Sequence, residues 1–447
     1  MQKFAVGETR TARIGALVSA VFLAVVIATA AGLIAPLVPD GHIDVGLAVR
    51  SLVLYWALSQ AAIFGLAWWT RKRKQLQAAT VLLAVVFIGL EVTLRVLAPA
   101  AARPELADLF SAENHHVYPK NRRMSQSFRD KRSIVDTNED GLRSPYSRES
   151  FRRRTHRIIT VGDSSTFGFL VPQQEALPAR LEDSLRSGPA RLDVAVLNAA
   201  VGDYSPFLEK LQFDRELRYY DPTLVMLFLD ADDIADDHEY LSKSEQIENT
   251  TRFQPQDRWS PGYYGAVIQV LREPLAYPFT KLKGLLGIAE ATVERYPFQV
   301  RIGGEMDHSR FFIYRHPLSL TEPYFESTLS NISAIAASVR SVGAEFILVV
   351  VPRFHHWNPA ECPDNWDLES YGLSEPYQYE YFRFFEDRRE RVDFPILNLL
   401  SSFQESDRFP LVFSFDRHWN REGHSLAAET VAQYLLQEGF FEAPRGR

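Results

Sequence analysis

The segment Ile158-Ile159-Thr160-Val161-Gly162-Asp163-Ser164-Ser165 places a hydroxyl group directly after a short apolar run. A short apolar run that ends at a glycine is typical of a buried strand. In open α/β sheets, functional groups lie at the carboxyl ends of the strands. We therefore interpret Ser164 as a candidate nucleophile, and Asp163 as a structural residue that holds the turn by bonding nearby amides.

Strand-like and helix-like runs alternate after this segment, which predicts an α/β fold with a mostly parallel sheet covered by helices. The interval from about 236 to 320 breaks the alternation and is far longer than the roughly 2–6 residues of a usual connection, so we predict an insertion. It either selects the substrate or packs on a membrane-facing surface. The predicted strands are 158–161, 194–197, 223–229, 345–351 and 396–399, and the predicted helices are 172–185, a segment ending at 219, 330–342 and 425–437.

Three predominantly apolar stretches precede the α/β pattern, at about 14–38, 45–69 and 76–97. Each reaches the roughly 20 residues that a helix needs to cross a bilayer. The first run exceeds the roughly 7–15 apolar residues of a signal-peptide core, so we favour a retained anchor over a cleaved signal. The predicted organisation is a membrane anchor of three transmembrane helices at 1–98, a stalk and lead-in segment at 99–154, and an α/β domain at 155–440.

Positive charge around the apolar stretches predicts their orientation. Lys3, Arg10 and Arg13 precede the first stretch, and the basic cluster 71–74 separates the second from the third, while the loop 39–44 carries no Lys or Arg. Basic loops favour the cytoplasmic side. We therefore expect a cytoplasmic N-terminus and an extracytoplasmic α/β domain, with a bacterial inner membrane and its periplasm as the preferred setting.

Composition excludes some classes of partner. The chain of 447 residues has a formal net charge of −7, which argues against a general nucleic-acid surface because clustered cations drive phosphate binding. Its single cysteine, Cys362, excludes an internal disulfide bond. We expect Cys362 to be either a surface thiol or a small buried side chain.

A carboxylate and two imidazoles lie close together near the end of the chain, at Asp416, His418 and His424. A serine hydroxyl needs a base to take its proton as it attacks, and the base needs a group that orients it. We favour His418 as the base because Asp416 lies two positions before it. His424 falls at a helix start, where packing or capping is the alternative role.

Four blocks of sequence, in this chain order, resemble the SGNH (GDSL-like) hydrolases, particularly membrane-anchored bacterial members associated with envelope glycans. The blocks are the lead-in 138–143, the segment 162–168, the segment 198–205 with its glycine at Gly202, and the segment 416–424. The resemblance spans roughly 138–436. It implies a flavodoxin-like three-layer sandwich, a catalytic set of Ser164, His418 and Asp416, and an oxyanion hole that includes the amides of Ser164 and Gly202.

One block departs from that family. Where the family has Gly-x-Asn-Asp, this chain has Asp230-Ala231-Asp232-Asp233, so Asp232 stands in place of an oxyanion-hole asparagine. An ionised carboxylate would repel the oxyanion. Three alternatives follow: Asp232 is kept protonated by burial and neighbouring carboxylates, another residue supplies the donor, or catalysis is lost. The acidic cluster is also a candidate for a hard cation such as Ca²⁺, although its spacing matches no defined loop.

The sequence-based expectation is a membrane-anchored extracytoplasmic serine esterase or acyltransferase that acts on a small acyl ester, foremost acetyl, of an envelope glycan. The resemblance supplies this substrate class. The alternatives are a catalytically impaired SGNH-fold protein that binds glycan or assists polysaccharide assembly, and a lipid esterase. No cofactor or metal is assigned. The expected partners are an acyl ester or acylated glycan and the lipid bilayer, without nucleic acid, and protein partners stay open.

Overall fold

The computed structural model describes residues 89, 106, 109–128, 131–247, 250–253, 298–365, 371–373 and 376–442. The three predicted membrane spans lie outside these residues, apart from position 89. Among the described residues, none of the helices combines the length and the apolar character needed to cross a membrane. The chain divides into two compact units, 1–105 with 261–292 and 106–260 with 293–447. The fold below is that of the second unit.

Short strands and hairpins surround a central sheet in this unit. The described strands are β1 (Leu109–Ser111), β2 (His115–Val117), β3 (Arg123–Phe128), β4 (Lys131–Asp136), β5 (His156–Gly162), β6 (Val194–Asn198), β7 (Leu224–Leu229), β8 (Ser244–Ile247), β9 (Thr250–Phe253), β10 (Val300–Ile302), β11 (Glu305–Asp307), β12 (Glu345–Val350), β13 (Ile396–Asn398), β14 (Val412–Phe413) and β15 (Asp416–Trp419).

Helices alternate with the strands of the sheet. The described α-helices are α1 (Arg148–Arg152), α2 (Ser164–Phe167), α3 (Leu177–Ser187), α4 (Pro206–Arg215), α5 (Asp233–Lys243), α6 (Leu318–Ser341), α7 (Glu380–Asp387), α8 (Leu400–Gln404) and α9 (Arg421–Gln437). Short 3₁₀ helices lie at Gln173–Glu175, Leu217–Tyr220, Phe312–Tyr314, Phe354–His356 and Pro359–Glu361.

The central sheet has five strands in the order β13-β12-β7-β5-β6, and every pair in it is parallel. Taken in chain order the arrangement is 2-1-3-4-5, which is the order of a doubly wound, flavodoxin-like sheet. All residues of β6 and β7 are buried, as strands covered on both faces require. The prediction of an α/β fold with a parallel sheet is confirmed.

The helices form two packed groups around the sheet. In one group α3 packs against α9, and in the other α4 and α5 pack against α6. Buried apolar side chains from the sheet and from both groups join in one continuous core, with a smaller second cluster around Tyr118, Phe167 and Tyr204. Cys362 is fully buried in the main core, which agrees with the second of its two predicted placements.

Helix α6 is longer than its sequence indicates. It begins at Leu318, whereas the prediction began at 330, and it contains Pro323. Proline lacks an amide proton and is normally taken as the end or the break of a helix. Its apolar positions Phe325, Leu329 and Ile332 face the core, so burial of this face compensates for the missing hydrogen bond.

The segment before the first sheet strand is folded into the same unit. Two antiparallel hairpins, β1–β2 and β3–β4, precede α1. Leu142 and Phe151 lie in the main core, and Tyr118 and Val135 lie in the second cluster. The compact unit therefore begins at about Leu106, ahead of the domain start predicted at 155.

The predicted insertion at about 236–320 is partly described. Its described parts are most of α5, the hairpin β8–β9, the hairpin β10–β11, the 3₁₀ turn at Phe312–Tyr314 and the start of α6. Residues 254–297 lie outside the described part of the chain.

Candidate active site

The candidate site lies where parallel strands of the sheet end together. Strand β5 ends at Gly162, with φ +153°, and a Cβ atom built there would lie 2.5 Å from Thr166 Oγ1. Only glycine fits this turn without a shift of its neighbours. The chain then enters α2, so Ser164 is presented half-buried at the edge of the sheet.

Ser164, His418 and Asp416 come together although 254 positions of the chain separate Ser164 from His418. Ser164 Oγ lies 2.8 Å from His418 Nε2. On the other side of the ring, His418 Nδ1 bonds Asp416 Oδ1, and the His418 main-chain N–H donates to the same oxygen at 2.9 Å. Strand β15 carries both residues, and Phe169 packs over the imidazole with ring centroids 4.5 Å apart.

Asp416 is held as a carboxylate. Burial by itself would raise its pKa, but the nearby His418 charge, two hydrogen bonds from His418 and the charge of Arg417 outweigh burial and lower the pKa. An ionised Asp416 fixes the proton of His418 on Nδ1, which leaves Nε2 as an acceptor toward Ser164. The arrangement has the geometry that proton transfer from a serine hydroxyl requires.

Asp163 has the structural role predicted for it and a second contact as well. Its Oδ1 accepts the Ser165 N–H at 2.8 Å and caps α2. Its Oδ2 accepts a hydrogen bond from Ser164 Oγ at 3.2 Å, so it competes with His418 for the one hydroxyl proton. Burial, followed by repulsion from Asp230 and Asp232, raises the pKa of Asp163 to about 7.

His424, the competing imidazole, lies away from Ser164. It is fully buried in α9, where its Nδ1 accepts the Leu177 N–H at 3.2 Å and its ring contacts Trp419 edge to face. Burial lowers its pKa to about 3. These contacts correspond to the packing role offered as the alternative for His424.

Asp232 is not a protonated acid in this site. Its oxygens lie 2.7 Å from Arg353 Nη2, in an ionic contact, and 3.1 Å from Arg417 Nη2, in a hydrogen bond. Burial alone would raise its pKa, but attraction from Arg353, Arg417 and Arg310 outweighs it and holds the pKa well below the usual range. Of the three alternatives given for Asp232, the protonated one considered only the carboxylates, and the arginines around them argue against it.

The same arginines bear on whether the acidic cluster could bind a metal ion. Oxygens of Asp163, Asp230 and Asp232 lie within 4.8 Å of one another, as a cation site would require. However, Arg353 Nε bonds Asp230 at 2.6 Å, and Arg417 lies 3.6 Å from the same carboxylate. Two guanidinium groups thus supply the positive charge that a hard cation would bring, so these carboxylates do not fit a calcium ion.

Gly202, the second predicted oxyanion donor, lies beside the nucleophile. A Cβ built on Gly202 would lie 3.9 Å from Ser164 Cβ. Its amide N–H donates to the hydroxyl of Tyr118 at 3.0 Å, and its carbonyl oxygen is 2.8 Å from His116 Nε2. Tyr118 and His116 come from the lead-in segment, and the sequence analysis assigned them no role.

Arg143 is a further residue that the sequence analysis missed. This fully buried guanidinium donates to the carbonyl oxygens of Phe167, Gly168 and Val171 at 2.6–2.8 Å. Burial lowers its pKa to about 10. It ties the lead-in segment to the loop that follows the nucleophile. The signal was present, because Arg143 ends the lead-in block 138–143 that was recognised only as a resemblance.

Comparisons with known proteins give distant likenesses. No protein-family model and no curated protein matches the chain. One similar solved structure is a psychrotrophic esterase from Pseudoalteromonas sp., at 15% identity over 63% of this chain and 97% of that chain, with a TM-score of 0.31. Another is a catalytic mutant of an acetylxylan esterase from Geobacillus stearothermophilus, at 13% identity over 65% and 96% of the two chains, with a TM-score of 0.33. At these values, the function has to be argued from the residues of this chain.

Proposed function

We propose that this chain is a serine esterase or acyltransferase of the SGNH type. The observation that carries the proposal is the position of His418, whose Nε2 faces Ser164 Oγ and whose Nδ1 faces Asp416. A base oriented by a carboxylate and aimed at a hydroxyl is the arrangement that activates a serine nucleophile.

The proposed reaction has two halves. Ser164 Oγ attacks the acyl carbon, its proton passes to His418 Nε2, and the leaving alcohol takes that proton as the ester bond breaks. The acyl group is then bonded to Ser164. In the second half His418 removes a proton from the acceptor, which is water in hydrolysis and a sugar hydroxyl in transfer. The acceptor oxygen bonds to the acyl carbon, the bond from that carbon to Ser164 Oγ breaks, and His418 returns the proton to Ser164 Oγ. The residues of the site serve both outcomes.

The substrate and setting are part of the same proposal. We place the enzyme in a cell inner membrane through its apolar N-terminal stretches, with the α/β domain on the extracytoplasmic side, and with a small acyl ester of an envelope glycan as its substrate. The setting rests on hydropathy and on the distribution of Lys and Arg. The substrate class rests on the resemblance of the sequence blocks to envelope-associated family members.

A second candidate is a protein that keeps the fold and binds glycan without catalysis. Two observations favour it. Asp232 is an ion-paired carboxylate at the position of the family asparagine, and the Gly202 amide donates to Tyr118. Both reduce the set of donors that the resemblance assigns to the oxyanion.

Hydrolysis of p-nitrophenyl acetate by the full-length chain in mild detergent separates the two candidates. We expect activity in the wild type and its loss in Ser164→Ala and His418→Ala. Ser165→Ala is the matched control, because this adjacent serine is buried and its hydroxyl donates to Asp230 at 3.2 Å. Wild-type activity equal to that of Ser164→Ala, in variants that fold as judged by circular dichroism, contradicts the esterase and leaves a glycan-binding protein or a transferase that requires its own acceptor. Activity that grows with acyl-chain length would favour a lipid ester over an acetyl ester.

A further inference from the structure

The phenyl ring of Phe169 lies against the imidazole of His418, the proposed base. The two ring centroids are 4.5 Å apart, and the ring planes are inclined by 42°. Rings that meet edge to edge cannot come this close, so the faces of the rings take part in the contact. The two nitrogens of the imidazole have polar partners, Ser164 at Nε2 and Asp416 at Nδ1. Phe169 adds an aromatic neighbour to these two.

The backbone on both sides of Phe169 is held in place. Gly168 ends α2 in the left-handed conformation, with φ +88°, and the N–H groups of Gly168 and Phe169 both donate to the Ser164 carbonyl oxygen at 3.1 Å. On the other side, the Leu170 N–H donates to the side-chain oxygen of Gln126 at 2.9 Å. Leu170 has φ +62°, which is uncommon for a residue with a Cβ atom. The phenyl ring is therefore fixed relative to the nucleophile before any substrate binds.

Positive charge appears on His418 only while the proposed reaction is in progress. In the first half His418 takes the proton of Ser164, and in the second half it takes the proton of the acceptor, so it becomes an imidazolium in both. The face of an aromatic ring attracts a cation within about 6 Å of its centroid, and more strongly where water is excluded. His418 is buried and Phe169 is half-buried. The contact should therefore be stronger in the transition states than in the resting site, as a contribution to catalysis requires.

We propose that Phe169 stabilises the imidazolium form of His418 through the face of its ring, and so lowers the barrier to both proton transfers. The inference rests on the proposed function, and Phe169 acts through the base and not on the substrate. Asp416 stabilises the same charge from Nδ1. The phenyl ring adds to this effect without a second carboxylate, whose burial would cost free energy.

The charged and titratable groups around His418 stay the same when only Phe169 is changed. They are Asp416 and Arg417 on β15, Asp163 at the start of α2, and His424 in α9. Phenylalanine carries no net charge, so its replacement leaves the charges of these groups in place. A difference between the pH profiles of Phe169 variants therefore reports on the ring.

Phe169→Leu in the full-length chain tests the inference, because it removes the aromatic face and keeps an apolar side chain. For p-nitrophenyl acetate, we expect the plateau of kcat/KM to fall by about 3–30-fold. We also expect the acid limb of the kcat/KM profile to move to lower pH by about 0.5–1.5 units, because the base carries positive charge less readily. Disturbed packing alone would lower the plateau without this movement. Phe440→Leu is the matched control, since Phe440 is half-buried near the end of α9 and its ring contacts Tyr434. We expect Phe440→Leu to keep both the plateau and the limb.

Fluorinated rings at position 169 separate charge from shape. Mono-, di- and trifluorophenylalanine withdraw electrons from the ring face step by step and change its size little, so we expect kcat/KM to fall with each added fluorine. Equal kcat/KM across the series would overturn the inference, and so would a Phe169→Leu variant whose acid limb does not move. Either result, obtained while Ser164→Ala is inactive, leaves the proposed function intact. If the wild type matches Ser164→Ala, the esterase and the inference about its base both fail.

Discussion

Strands β5 and β7 are neighbours that end at the same edge of the sheet, but the residues after them behave differently. After β5, Ser164 is half-buried and contacts a single imidazole and a single carboxylate. After β7, Asp230 and Asp232 are buried among guanidinium groups, with Arg353 within 2.7 Å of both carboxylates. One strand end presents a group that can react, and the other holds a neutralised ionic cluster.

The difference shows how one edge can combine reactivity with order. A hydroxyl can exchange its proton only if few groups compete for it, whereas a buried carboxylate is stable only if several groups compensate its charge. Arg417 connects strand β15 to the β7 end, since it lies between Asp416 and His418 in the chain and bonds Asp232. The ionic cluster after β7 thus anchors β15, the strand that carries His418, the proposed base.

The largest effect should come from the residue that orients the base. Asp416→Asn replaces the carboxylate that accepts from His418 Nδ1, so it favours the wrong tautomer, and we expect kcat to fall by about 10⁴-fold. The measurement is steady-state ester hydrolysis. Asp407→Asn, an exposed site upstream, serves as the control. Retention of most activity in Asp416→Asn would mean that Ser164 does not use His418 as its base.

Removal of Arg353 should have the next largest effect, on stability. Arg353→Met leaves Asp230 and Asp232 under-compensated in a buried place, so we expect the free energy of unfolding to fall by about 3–5 kcal/mol. Arg408→Met removes an exposed pair with Glu429 and should cost at most about 1 kcal/mol. Denaturant titration measures both. Equal losses would refute the contrast between the two kinds of ion pair.

Asp232→Asn should have a moderate effect on stability and turnover, and it tests the role of the carboxylates that follow β7. The neutral amide cannot compensate the positive charges of Arg353 and Arg417. We therefore expect the free energy of unfolding to fall by about 1–3 kcal/mol and turnover to be lower. Asp233→Asn is the control, because burial already raises the pKa of Asp233 well above its usual value and an amide keeps the acceptor for the Asp230 N–H. Higher turnover in Asp232→Asn would show that the carboxylate impairs the natural site.

The last effect is on the pH dependence of stability, and it needs no substrate to measure. The pKa of Asp163 is about 7 in the folded protein, against about 3.9 for a free side chain. The folded state therefore holds a proton that the unfolded state loses, and this contribution to stability is present at low pH and lost as the pH rises toward 7. Asp163→Asn should remove that decline.

Asp193→Asn provides a control of opposite sign for that measurement. The Thr155 N–H, followed by Arg154, lowers the pKa of the exposed Asp193, so its small contribution is present at neutral pH and lost as the pH falls. Unfolding free energies measured between pH 2 and 8 compare the two variants, because the Asp193 contribution is lost only below about pH 4. An unchanged slope in Asp163→Asn would contradict a raised pKa at the β5 end.

Local pattern carried the prediction of the parallel sheet, because buried parallel strands are continuous apolar runs. The predicted strand 194–197 and the observed β6, Val194–Asn198, differ by one residue. The spacing of Asp416 and His418 in the sequence also predicted their pairing. In the structure His418 lies between Asp416 and Ser164. The strands and the Asp416–His418 pair could be predicted because each depends on residues that are close together in the sequence.

Contacts between distant positions escaped the sequence analysis. The Tyr118 hydroxyl meets the Gly202 amide across 84 positions, and no periodicity signals such a pair. The polar, weakly periodic segment 99–154 was interpreted as a stalk and lead-in, so Tyr118 and His116 were not considered as site residues. The position of Arg353 could have been predicted, because Arg353 follows β12 and therefore lies at the sheet edge where β5 and β7 also end.

The buried Arg143 has a consequence for how this protein can be shortened. Its guanidinium group joins residues ahead of the sheet to the carbonyl oxygens at Phe167, Gly168 and Val171, just after the nucleophile. A fragment that starts at 155 would contain every strand of the central sheet together with Ser164, His418 and Asp416. It would nevertheless lack the cation that organises the nucleophile loop. The smallest well-ordered fragment therefore has to include Arg143, and the packing of Leu106, Tyr118 and Val135 in the second cluster moves the expression boundary ahead of Leu106.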